Sequence, residues 1–215
     1  MSASVSELPV LPERPPALLL VVAGPAGSGK TTLCERMVRE IPGMQRVVTS
    51  TTRPPREGEI DGRDYHFFDN TQFDRLVAEG AFLEWARVHG AERRYGTLRR
   101  VIDEKLAADI DLCMNVDVQG VASIRAAAAA DRTLARRLVT VFLMPPDLDE
   151  LRRRLRGRAQ DDEAEIERRM HTALREIETW PDYDFCVRSG TRDADFAALT
   201  AIFRAEKLRA SRLRA

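Results

Sequence analysis

Gly24-Pro25-Ala26-Gly27-Ser28-Gly29-Lys30-Thr31 decides the fold of this chain. The stretch satisfies G-x-x-x-x-G-K-[ST], a loop that wraps phosphate groups. Its flanks supply the context that the motif requires. Leu18-Leu19-Leu20-Val21-Val22-Ala23 runs into it, apolar without alternation, and reads as a buried strand. Thr32 to Glu40 runs out of it, with Leu33, Met37 and Val38 at helical spacing. Glycine reaches backbone angles closed to other residues, so successive N–H groups can turn toward phosphate oxygens. The helix start adds its positive dipole end. Lys30 brings a point charge for the outer phosphates, and the Thr31 hydroxyl is a Mg²⁺ ligand type. A plain glycine turn between strand and helix would give Lys30-Thr31 no purpose.

Outward from this loop, the chain reads as alternating strands and helices. Strands are expected at 46–50, 65–68, 81–88, 111–117, 138–143 and 183–187. Helices are expected to about Ile41, from Asn70 or Thr71 to Gly80, over 97–108, over 118–130, from Asp147 to Leu155, from Asp162 toward Trp180, and from Asp195 to about Arg214. Asp162 with Glu165 has the form of a capping box. The alternation predicts an α/β fold: a parallel sheet with helices on both faces. Residues 1–16, rich in proline, are expected as a disordered lead-in. Residues 17–210 form the expected domain, with a core of 17–49 and 98–210, a small α+β insertion over 50–97, and a mobile lid at about 157–168.

Composition narrows the function. The 215 residues are 44% hydrophobic, enough for a full core. Lys+Arg and Asp+Glu balance at 34 each, which argues against a general nucleic-acid binder. No apolar run is long enough to cross a bilayer, and Met1 to Pro16 lacks the pattern of a secretory signal. Cys34, Cys113 and Cys186 are odd in number and far apart, with neither metal spacing nor a disulfide frame. That usage points to a reducing compartment, and a cytoplasmic location is expected. His66, His89 and His171 are scattered and read as surface or structural. Monomer and homodimer both stay open.

A second signal lies at Thr51-Thr52-Arg53-Pro54-Pro55-Arg56-Glu57-Gly58-Glu59-Ile60-Asp61-Gly62-Arg63-Asp64-Tyr65-His66-Phe67. The proline pair keeps this segment extended and presents Arg53 and Arg56 stiffly. Two guanidinium forks suit a phosphate with free oxygens, and hydroxyls at Thr49, Ser50, Tyr65 and Tyr95 can complete the grip. By composition alone, a solvated basic loop is the competing reading.

These residues carry a resemblance. The phosphate loop, T-T-R-x-P-R-x-G-E-x-x-G-x-D-Y-x-F, Phe82-Leu83-Glu84-Trp85, Tyr95-Gly96-Thr97, Asp117-Val118-Gln119-Gly120 and Leu155-Arg156-Gly157-Arg158 occur in that order. Together, over about residues 18–210, they resemble guanylate kinase, a family of phosphate-loop nucleoside monophosphate kinases. The resemblance implies transfer of the γ-phosphoryl group of ATP to GMP, and to dGMP, with Mg²⁺, in purine nucleotide metabolism and GMP recycling. It implies that Gly24, Pro25, Ala26, Gly27, Ser28, Gly29, Lys30, Thr31 and Thr32 bind ATP. Arg53, Arg56, Tyr65 and Tyr95 would hold the GMP phosphate. Glu84 and Thr97 would read guanine, with help from Thr49. Asp117 would sit near the GMP ribose and, with Thr31, near the metal, directly or through water. Lys30, Arg53, Arg158 and Arg169 would carry catalysis, the last two as lid arginines. Arg152, Arg153, Arg154, Arg156 and Arg168 are expected to include solvent-facing charges.

The chain also departs from the family. Ala26 and Thr49 each stand where serine is common, and Asn115 stands where aspartate is common. Gly90 to Tyr95 is longer than usual, and Arg188-Ser189-Gly190 replaces a Val-Asn-Asp-like segment near the adenine site. One competing reading is a binding module that has lost catalysis. Another is a related kinase acting on a different small phosphorylated acceptor. Lys30, Thr31, Arg158 and Arg169 speak against the module, since a binder has no use for an ATP cradle. The arginine segment and Glu84 speak against the other acceptor.

Overall fold

A computed structural model describes residues 12, 14–87, 93–156 and 163–213. Most of the expected lead-in lies outside the described residues, as do Arg158, Asp162 and the first half of the expected lid, 157–162. Strand β1 (Leu19–Ala23) is fully buried and leads into helix α1 (Lys30–Glu40). Strand β2 (Gln45–Arg46) follows, then β3 (Ser50–Thr51), β4 (His66–Phe67), α2 (Asn70–Ala78), β5 (Phe82–Arg87) and β6 (Arg94–Leu98). The chain continues through α3 (Arg99–Ala107), β7 (Leu112–Asn115), α4 (Val118–Ala130), α5 (Arg132–Arg137) and β8 (Leu138–Met144). It closes with α6 (Leu148–Arg156), α7 (Glu163–Ile177), β9 (Phe185–Arg188), α8 (Arg192–Lys207) and α9 (Ala210–Leu213).

The first sheet has the order β2-β7-β1-β8-β9, and every neighbouring pair is parallel. Successive strand residues point to opposite faces, so β1 feeds two cores. Leu19, Val21 and Ala23 join Ile102, Leu106, Val121 and Ile124 from α3 and α4. Leu20 and Val22 join Leu33, Met37, Leu199 and Phe203 from α1 and α8. Helices on both faces make this the expected α/β architecture. A second sheet, β4-β3-β6-β5, is built from residues 50–98.

The sequence reading erred in five places, one being the closing helix expected from Asp195 to about Arg214, which is α8, started by its Thr191 cap, and then α9. The single strand expected at 46–50 is two strands in two sheets. Its first half pairs with β7, the Val47 N–H still donates to Cys113 O at 3.2 Å, and then Ser50 pairs with Gly96 of β6. Thr97 belongs to β6 rather than to a helix, and α3 begins only at Arg99. The cap of α2 is Asp69, which exchanges bonds with Gln72 in a capping box, so neither Asn70 nor Thr71 is the cap. Helix α5 was not anticipated; Asp131 starts it by accepting from the N–H groups of Thr133 and Leu134.

The ends of the core are tied together. Asp111 Oδ1 accepts from the Leu18 N–H at 2.7 Å and from Lys207 Nζ at 2.9 Å, while Lys207 also donates to Pro16 O at 3.0 Å. Glu206 is buried and accepts from Arg209 and Arg212, and Arg212 reaches Leu138 O at 3.0 Å. These contacts seat α8 and α9 against the starts of β1 and β8.

Gly24 is where the phosphate loop leaves the sheet. Its φ is +143°, and a Cβ there would lie 2.5 Å from Leu143 O on the neighbouring strand. Gly24→Ala should cost about 2–3 kcal/mol, since strained backbone and a backbone clash act together. Urea denaturation would register this as a lower midpoint; a midpoint equal to the parent's would show that the strand spacing gives way freely.

Candidate active site

The phosphate loop is shaped by three glycines at positive φ: Gly24, Gly27 and Gly29. Ser28 N–H donates to Pro25 O at 3.1 Å and closes the turn. Lys30, half-buried at the start of α1, donates its Nζ to Gly24 O at 2.7 Å and to Pro25 O at 2.9 Å. Its ammonium is thereby held over the loop. Glu176, at the end of α7, lies in the same region: burial raises its pKa, and the charge of Lys30 opposes that shift. Nothing in the sequence reading singled it out.

Two cavities flank the loop. One, of about 560 Å³, is lined by Gly27, Ser28, Gly29 and Thr32 on one side and by Ser189, Gly190 and Asp195 on the other. Arg154 also lines it and donates from Nη1 to Gly27 O at 3.4 Å. Of the arginines expected to include solvent-facing charges, Arg153, Arg156 and Arg168 are exposed, and Arg154 turns to the loop. The cause is helical spacing: Leu151, Arg154 and Leu155 share one face of α6, and all three lie where a Cβ on Gly27 would meet them. Arg169 lies on α7 with its Nε 3.3 Å from Glu165 Oε1, and Arg168 pairs with the same carboxylate.

The second cavity, of about 270 Å³, is lined by Thr31, Thr49, Tyr65, Glu84, Tyr95 and Asp117. The structure therefore brings six of the expected residues to one space. Arg46 and Asn115 line it as well. Glu84 and Thr97 face each other across β5 and β6, and the Thr97 hydroxyl donates to Glu84 Oε1 at 2.6 Å. Glu84 is only 9% exposed. Burial pushes its pKa up, the Thr97 bond opposes that, and the charge of Asp117 adds to it. Asp117 caps α4 by accepting from the Gly120 N–H at 2.7 Å. A Cβ on Gly120 would lie 3.4 Å from both Glu84 Oε2 and Asp117 Oδ1. The two carboxylates thus meet over the first turn of α4.

The two arginines of the proline segment differ sharply. Arg53 is buried and donates twice to Glu59, at 2.8 Å from each of Nη1 and Nη2. The rings of Tyr65 and Phe67 flank its guanidinium at 5.3 and 5.8 Å, and the Tyr95 hydroxyl lies beside it. Arg56 is exposed; its backbone N–H donates to Glu59 at 2.7 Å. Glu59 is the functional residue that sequence reasoning passed over. An acid six residues after a stiffly presented arginine was the available signal. Arg94, also buried, reaches Asp74 and Asn70 on α2, and it exchanges backbone and side-chain bonds with Thr52. It anchors Tyr95 next to Arg53.

Hydrogen bonds from Arg53, then from the Arg56 backbone, pull the pKa of Glu59 down to about 2. A depressed carboxylate stabilises the fold above its ordinary pKa near 4.5, and that contribution fades as pH falls toward 2. Glu59→Gln should therefore lose less stability than the parent between those pH values in acid titration followed by circular dichroism. With Arg53 held by one Glu59-side acceptor instead of two, beside the Pro54 carbonyl that Nη1 reaches at 2.8 Å, we expect the KM for the phosphorylated acceptor to rise about tenfold. An unchanged KM would mean that Arg53 does not need both Glu59 oxygens.

Comparison with known proteins gives one answer. The sequence profile described as guanylate kinase matches residues 17–206. A guanylate kinase of Anaeromyxobacter dehalogenans is 45% identical over 198 residues, covering 92% of this chain and 84% of that protein. One of Bradyrhizobium diazoefficiens is 40% identical over 195 residues, covering 91% and 85%. The crystal structure of guanylate kinase from Anaplasma phagocytophilum superimposes with a TM-score of 0.68 at 27% identity, covering 93% of this chain and 90% of that one. With a phosphate loop on a parallel sheet and a buried carboxylate beside it, the chain belongs to the guanylate kinase family.

Proposed function

We propose that this protein transfers the γ-phosphoryl group of ATP to GMP, and to dGMP, yielding ADP and the diphosphate. The observation that carries the reading is the shared cavity: Thr31 of the phosphate loop and Glu84 line one space. An acceptor base held at Glu84 would project its phosphate toward the loop. Guanine offers N1–H and a 2-amino group side by side, and one carboxylate accepts both. Adenine offers neither, and would leave Glu84 buried and unpaired.

In this reading the loop amides of residues 24–31 hold the ATP phosphates, and Thr32 borders the nucleoside side. Lys30 neutralises charge on the outer phosphates. Arg53, Arg56, Tyr65 and Tyr95 grip the acceptor phosphate, with Thr49 and Thr97 supporting the base site. Asp117 stands near the acceptor ribose. Arg158 and Arg169 arrive from the lid and, with Arg154, spread positive charge over the transferring group. An acceptor phosphate oxygen attacks in line, and no covalent enzyme intermediate or general base is required. Closing the lid keeps water from taking the phosphoryl group.

Thr31 and Asp117 fit Mg²⁺, because both are hard oxygen donors on one cavity and this ion takes most of its ligands from phosphates and water. Among the described residues, no cluster of three His, Cys, Asp or Glu forms an all-protein cage. When bound, the ion would offset phosphate charge. No described helix is long and apolar enough to cross a membrane. The free thiols Cys34, Cys113 and Cys186 support placing the enzyme in a reducing compartment such as the cytoplasm.

An ADP-release assay over GMP, dGMP, IMP, AMP, CMP and UMP tests the reading. We expect turnover with GMP and dGMP far above the rest. Turnover on a non-purine alone would replace the acceptor assignment, and no turnover at all would favour a binding module.

A further inference from the structure

Arg46 lines the 270 Å³ cavity together with Tyr65, and no step above uses it. It is an exposed residue of β2, at the edge of the parallel sheet. Its Nη2 reaches out of the core and donates to Asp64 O at 2.7 Å and to Arg63 O at 3.4 Å. Both carbonyls belong to the insertion, and Tyr65 comes next in the chain. The loop that carries them is closed on itself. Asp64 Oδ2 accepts from the Ile60 N–H at 2.8 Å, the Gly62 N–H donates to Tyr65 O at 2.8 Å, and Asp61 Oδ1 accepts from the Phe67 N–H at 2.9 Å. A loop bonded in this way moves as one piece, so a tie at one point orients all of it. On the far side of Tyr65, the His66 N–H donates to Thr49 O at 2.9 Å. The tyrosine is thus pinned before and after. Its ring lies 5.3 Å from the Arg53 guanidinium and 6.1 Å from the Tyr95 ring, within the group expected to hold the acceptor phosphate.

Resting on the reading that this cavity takes the acceptor nucleotide, we propose that Arg46 is a positioning residue: it ties the 60–65 loop to the core sheet and so sets Tyr65 where its hydroxyl meets the acceptor phosphate. A guanidinium stays charged at any working pH, and its bonds to carbonyl oxygens are charge-assisted. Without the tie, the loop samples other orientations, and only the fraction with Tyr65 in place grips the phosphate. Apparent affinity falls by that fraction, while the complex that does form reacts as before. The signature is a change in KM for GMP rather than in kcat.

The test is a double-mutant cycle on the full-length protein, with saturating ATP·Mg²⁺ and GMP varied. Arg46→Met keeps an apolar stem and removes the donors. It should raise KM for GMP about tenfold, the size of one lost charge-assisted bond, with kcat within about twofold of the parent. Arg46→Lys keeps a cationic donor on a long stem and should recover most of that loss. Tyr65→Phe removes the hydroxyl and keeps the ring. If Arg46 acts through Tyr65, adding Arg46→Met to Tyr65→Phe should raise KM by no more than about twofold. Independent effects would multiply. The full tenfold, or about that, appearing again on the Tyr65→Phe background would mean that Arg46 meets the acceptor by itself, and would overturn the proposal. A parent-like KM for Arg46→Met would overturn it too. Arg46→Gln replaces Arg46→Met if that variant does not fold. Absence of GMP turnover in the parent would instead overturn the kinase reading and this one with it.

Discussion

Lys30→Ala should lower turnover on GMP by two or more orders of magnitude, about 3 kcal/mol or more of transition-state stabilisation. The ammonium sits 2.7 Å from Gly24 O and 2.9 Å from Pro25 O, so it is held where the loop wraps phosphate. Charge builds on the transferring group in the transition state, and this cation is placed to meet it. The loss should therefore fall on kcat more than on KM. The fold should persist, because alanine suits the first position of α1 and Lys30 is only half-buried. Steady-state kinetics beside a melting curve would check both parts. A kcat within threefold of the parent would remove Lys30 from the chemistry.

Glu84→Gln is expected to lower kcat/KM for GMP about a hundredfold while changing AMP far less. Glutamine keeps one acceptor and sets an N–H₂ against the guanine donors, which costs about 3 kcal/mol when the site is buried. Stability should move the other way. The folded-state pKa of Glu84 is raised by burial, so the folded protein binds its proton more readily than the unfolded chain. For an acid shifted upward, stability declines as pH rises from the ordinary 4.5 through the folded value. At neutral pH the ionised group is a cost, and its amide replacement should melt at the same temperature or higher. The same shift predicts that KM for GMP in the parent rises as pH drops, starting above pH 4.5, since guanine needs the carboxylate charged. Glu84→Gln should flatten that dependence. A GMP-to-AMP ratio equal to the parent's would mean that another group reads the base.

The loop and its strand were legible because their signals are local. Six consecutive apolar residues, then three glycines and a lysine, lie within 14 positions, 18–31. The Glu84–Thr97 pair was legible only through resemblance, because its members meet by antiparallel register between β5 and β6. Strand β6 itself escaped notice. Arg94 to Leu98 is short, includes Gly96, and runs straight into the apolar spacing of α3. The glycine is needed because a Cβ there would lie 2.9 Å from the side chains of Phe82 and Trp85, a closeness that only the folded sheet reveals. The split of the 46–50 run was hidden for a related reason: periodicity reports burial, not which sheet supplies the partner. The Arg53–Glu59 fork and the Arg94–Asp74 pair are choices among many charges in a chain where 32% of residues are charged. Spacing alone cannot make that choice.

The Lys207 tie has a practical edge for protein engineering. Because Lys207 holds Asp111 and the Pro16 carbonyl, and Arg212 holds the start of β8, neither terminus of the core behaves as a loose tail. A truncation ending before Lys207 would unseat the strand that aims the phosphate loop, and reporter tags should join upstream of Pro16 or downstream of Leu213.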